Sequence, residues 1–90
     1  MATYQILTVE QFIKRHEAVC ASLTEQEARI VAKTAIFAAI EYNTAPAKAE
    51  AYLKNINDVQ RAAMRKFFDV FKKTNPVTDL EILAFDRFIG

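Results

Sequence analysis

Residues 24–43 read TEQEARIVAKTAIFAAIEYN, and this stretch decides the fold. It opens on Thr24 with Glu27 three positions later. In that pattern a threonine oxygen accepts from one orphan backbone N–H while the glutamate carboxylate accepts from another, so a helix starts here. Charged and apolar residues alternate on a helical period as far as Lys33, after which no charge appears until Glu41. Ala28, Ala32, Ala35 and Ala39 follow a 4-3-4 spacing, a small-residue face that lets a neighbouring helix approach to about 8 Å. Ile30 and Phe37 point to a second side of the same helix, and Ile36 with Ile40 to a third. A helix apolar nearly all round is buried. It is therefore expected to be the central helix of a bundle or part of a self-association surface.

The same starting signal recurs on either side. Thr8 with Gln11, Asn57 with Gln60 and Thr78 with Glu81 repeat it, and Leu7, Leu23, Ile56 and Val77 stand just before the four caps. Leu7 with Phe12 and Val77 with Ile82 have the spacing of a hydrophobic staple. Pro46 marks a fifth start, because a first-turn proline lacks only an N–H that would have no partner there. These signals predict helices near 9–22, 25–43, 46–55, 58–73 and 79–88. The first carries Val9, Phe12, Ile13, His16, Val19, Cys20 and Leu23 on one stripe. On the fourth, Val59, Ala63, Met64, Phe67, Phe68, Val70 and Phe71 share one half with Gln60 as the one polar intruder. Arg61, Arg65, Lys66, Lys72 and Lys73 fill the other half with Asp69.

Composition limits what such a chain does. Its single glycine is Gly90, at the end of the 90 residues, so phosphate-cradling glycine loops and tight hairpins are not expected. The helices must be joined by glycine-free turns. The expected fold class is all-α: a compact single-domain bundle of about five helices over residues 1–90, with the second helix central. Cys20 is the lone cysteine, which excludes an internal disulfide, and the N-terminus lacks the basic start and long apolar core of a signal peptide. No apolar run approaches the roughly 20 residues that span a bilayer. A cytoplasmic protein without membrane contact is expected.

Candidate sites are few. His16 and Cys20, four apart, could offer zinc two ligands, but a structural site needs four, and the chain has no other His or Cys. Both also lie on an apolar stripe, where a core role explains them better. Ser22 is the only serine and has no base beside it in the sequence pattern. No catalytic residue, cofactor site or metal site is therefore expected, and the chain reads as a non-enzyme.

Net charge is +1, but residues 58–74 hold five basic and two acidic residues. The basic face of Arg61, Arg65, Lys66, Lys72 and Lys73 is a candidate for tracking a phosphate backbone. A helix-turn-helix character in 51–62, with Asn55 where glycine is usual, adds a little to that reading. Against it, any amphipathic helix needs a solvated side.

The segment 79–89 spreads Leu80, Ile82, Leu83, Ala84, Phe85, Phe88 and Ile89 over most of a helix circumference. Ile82, Phe85, Phe88 and Ile89 are accordingly candidate partner-binding residues. The sequence thus points to a small protein-binding module that acts stoichiometrically as an adaptor, inhibitor or assembly regulator, with another protein or itself as partner. Small standalone regulators, virus-encoded ones among them, have this general make-up. The alternative expectation is a nucleic-acid-binding regulator using helix 58–73.

Overall fold

The computed structural model describes residues 6–74 and 87–89. The protein is all-α and compact, with a radius of gyration of 11.9 Å. The helices are α1 (Val9–Arg15), α2 (Glu17–Cys20), α3 (Glu25–Thr44), α4 (Pro46–Lys54) and α5 (Asp58–Thr74), and residues 87–89 form a further helical turn. No strand occurs among the described residues. α3 is the hub, packing against α1, α4 and α5.

Each start is built as its residues require. Thr8 donates its N–H to Gln11 Oε1 at 2.9 Å, and Gln11 returns its own N–H to Thr8 Oγ1 at 3.2 Å. Thr24 and Glu27 make the same exchange at 2.9 and 3.1 Å, and Asn57 and Gln60 at 3.1 and 2.8 Å. Thr78 and Glu81 lie outside the described residues. Glu27 also accepts from Lys66 Nζ at 3.1 Å, which ties the first turn of α3 to the middle of α5. The Thr24 N–H, and after it the Lys66 ammonium, hold the Glu27 carboxyl below the usual glutamate range. Thr24→Ala removes one half of the box, so a loss of about 1 kcal/mol is expected in a denaturant melt. An unchanged midpoint would mean that this cap contributes nothing to the fold.

The ends of the helices have equally local causes. Proline disfavours helical geometry in the residue before it, and Ala45, ahead of Pro46, is extended at φ −162°, ψ 132°. One residue therefore ends α3 and opens α4. Between α4 and α5 the chain turns at Asn55 with φ −108°, and the Asn55 side chain donates to the Ala51 carbonyl at 2.7 Å. This turn needs no positive φ, which is why asparagine serves where glycine is common.

The first expected helix departs from prediction. It is broken at His16 (φ −108°, ψ 34°) into α1 and α2. The break separates two tasks, since α1 packs against α3 whereas α2 packs against α5. The His16 ring marks the corner, 4.6 Å by centroid from Phe12, 5.6 Å from Phe67 and 6.0 Å from Phe71.

The core is assembled around α5. Phe67, Phe68, Met64, Leu53, Val19 and Val31 are almost wholly enclosed, with Phe12, Ala32, Ala38, Ala49 and Ile56 around them. Phe67 is the centre of an aromatic cluster, 5.8 Å from Phe12, 5.4 Å from Phe68 and 5.8 Å from Phe71. On the alanine face of α3, Ala28, Ala32 and Ala39 are buried and Ala35 is half-buried against the core. Val59 is the exception on α5: the wheel puts it on the buried half, but it is 61% exposed in the first turn, before the helix reaches the core.

Candidate functional site

α3 is central without being enclosed. Its exposed stripe runs through Gln26, Arg29, Lys33, Phe37, Ile40 and Thr44, where positions three and four apart share a face. The N-terminal half of the stripe is polar. There Thr24, Glu25, Gln26, Arg29, Ile30 and Lys33 line a shallow open hollow of about 740 Å³. The C-terminal half is apolar, with Phe37 45% and Ile40 44% exposed. Of the two expectations for this helix, the central position is met, and one side nevertheless stays uncovered among the described residues. α1, α4 and α5 cover the alanine, Val31 and Thr34 faces, and no described element covers the fourth.

The exposed Phe37 ring is held in place. It lies 4.5 Å by centroid from Tyr52 of α4, tilted by 43°. The Tyr52 hydroxyl in turn accepts from Gln60 Nε2 of α5 at 3.5 Å, the outer limit of a hydrogen bond. Gln60 Nε2 also donates to Thr34 Oγ1 at 3.2 Å, the stronger of its two contacts. Thr34 is 1% exposed, and a hydroxyl at such depth requires a partner. Gln60 is thus no intruder on the apolar half of α5: its Oε1 caps the helix and its Nε2 joins α3, α4 and α5 behind the exposed face. A side chain fixed before binding loses less freedom on binding.

The basic face of α5 is partly engaged within the molecule. The Arg61 guanidinium donates to the carbonyl of Ile89 and, at 3.3 Å, to that of Lys54. It brackets the end of α4 and the C-terminal turn. Lys66 is paired with Glu27. Arg65, Lys72 and Lys73 are exposed. Arg61 and Lys66 therefore serve the fold, and Arg61 is the arginine nearest the α4–α5 turn, where a helix-turn-helix reading would need it outward.

Of the expected partner-binding residues, Ile82 and Phe85 lie outside the described residues. Phe88 is half-buried against the core, and Ile89 is buried at 4% exposure as part of it. Ile89 therefore packs in the core, and its carbonyl accepts from the Arg61 guanidinium.

His16 and Cys20 belong to the packed interior of the α1–α2 corner. Burial pushes the Cys20 thiol above its usual value, which disfavours the thiolate a metal or a nucleophilic reaction would need. Among the described residues no three His, Cys, Asp or Glu side chains are placed to hold a metal ion, and no helix is long and apolar enough to cross a membrane.

The sequence offered the second helix as a possible self-association surface without singling out Phe37 and Ile40 on it, and it gave no sign of Tyr52. The signal was present in the uncharged run 34–40, whose apolar residues face three sides of one helix. No family model matches this chain, and no curated protein or solved structure does either.

Proposed function

We propose that this protein is a non-enzymatic binding module that docks another protein chain stoichiometrically, as an adaptor, inhibitor or assembly regulator. The observation that supports this reading is the Phe37–Ile40 face of α3. Two large apolar side chains stand about half exposed on the central helix, and one of them is braced from behind by Tyr52 and Gln60. An apolar group held rigid and left in water is what an interface anchor requires, because binding dehydrates it at little further entropic loss. A single-residue exposure such as Val59 would carry no such weight.

Nucleic-acid binding through Arg65, Lys72 and Lys73 is the competing reading. It is weakened by the internal duties of Arg61 and Lys66. The experiment is affinity capture from a native lysate, with and without nuclease, using wild type and a Phe37→Ser/Ile40→Ser variant. The expected result is a nuclease-resistant protein partner, in fixed ratio, that the double variant loses. A complex abolished by nuclease and by salt, and indifferent to the double variant, would favour the basic face.

A further inference from the structure

We propose that the partner which fits the exposed face of α3 is a second copy of this chain, its own α3 lying antiparallel and centred on Phe37. This rests on the protein-binding reading above and names the occupant of that surface. Lys33, Phe37 and Glu41 follow one another at four-residue intervals, so they form one ridge of the helix, about 12 Å from end to end. Lys33 is exposed and Glu41 half-buried. Neither side chain has an ion-pair partner among the described residues, although Arg29, Lys54 and Lys66 each have one. The ridge is therefore cationic at one end, aromatic in the middle and anionic at the other.

Such a ridge complements itself. About a two-fold axis at Phe37, a residue n places before it in one copy is level with the residue n places after it in the other. Lys33 of each copy then meets Glu41 of the other, twice in one dimer. A crossing angle of about −50° lays the two ridges along each other and brings these charges together. Ile40, three places after Phe37, stands on the flank opposite Glu41 and adds apolar area beside the aromatic centre. A parallel pair would instead set Lys33 against Lys33 and Glu41 against Glu41. The contact is isologous, so it closes at two copies. The two apolar anchors are small beside the roughly 800 Å² per partner of a standard interface. The association should therefore be modest and most visible at high protein concentration.

Charge reversal tests this directly. Wild type, Lys33→Glu, Glu41→Lys and an equimolar mixture of the two variants are run in sedimentation velocity over a concentration series, with circular dichroism to verify folding. Wild type is expected to dimerise. Each variant alone faces two repulsive pairs, so its dissociation constant should rise about tenfold or more. The mixture should regain the wild-type value, because each variant supplies the charge that the other now needs. Phe37→Ser should remove dimerisation with a melting temperature within a few degrees of wild type, which keeps the test available if Glu41→Lys folds poorly. A wild type that stays monomeric throughout, or a dimer indifferent to both charge reversals and to Phe37→Ser, would overturn the inference. A monomeric wild type that still captures a different protein through Phe37 and Ile40 would overturn the self-association alone and leave the protein-binding reading standing.

Discussion

Phe67→Ala is expected to lower the melting temperature by more than about 12 °C, the largest effect of any single truncation in this protein. The side chain is enclosed on α5 and meets the rings of Phe12, His16, Phe68 and Phe71. These belong to α1, to the break that follows it and to α5 itself, so the lost ring leaves a void that no one element can close by shifting. A buried phenylalanine reduced to alanine costs about 3–5 kcal/mol, against a total stability of about 5–15 kcal/mol for a domain. Thermal unfolding followed by far-ultraviolet circular dichroism measures it. A drop of only a few degrees would mean that the α1–α2 corner is not packed on α5 in this way.

Leu53→Ala should follow closely, with a loss of about 2–5 kcal/mol. α4 has nine residues, and an isolated helix that short is not stable in water. Its N-cap is Ala45, which offers no side-chain oxygen, so Ala49 and Leu53, both fully buried, are what hold it to α3. The expected signature is local as well as global: in hydrogen exchange the amides of 50–54 should lose protection before those of the middle of α5. Uniform loss across both helices would show that α4 does not open separately.

How far the sequence foretold this molecule depends on the range of the interaction concerned. Helix starts were legible because a cap is written within four residues: Thr8 with Gln11, Thr24 with Glu27 and Asn57 with Gln60 all formed the predicted exchange. The central position of the second expected helix was legible too, from its alanines. The break at His16 was not, because no proline or glycine marks it, and two of the three phenylalanine rings around it lie more than fifty residues away in the chain. Hydrophobic pattern likewise tells that a helix has apolar sides, but not how many neighbours arrive to cover them. This is why the second expected helix could read either as central or as a self-association surface until the exposure of Phe37 and Ile40 was seen, while Ile89 read as a candidate interface residue and lies in the core. The engagement of Arg61 with the Ile89 and Lys54 carbonyls spans the chain in the same way and leaves no local trace.

α3 holds the fold together with one side, and with another, we propose, it binds a partner. The Phe37→Ser/Ile40→Ser variant separates the two most directly, by its melting temperature measured beside its ability to associate. Both residues are about half exposed, and surface substitutions of this kind usually change stability by within about 0.5 kcal/mol. The account predicts a melting temperature within a few degrees of wild type, together with loss of association. A melting temperature lowered as far as that of Leu53→Ala, with association retained, would contradict it.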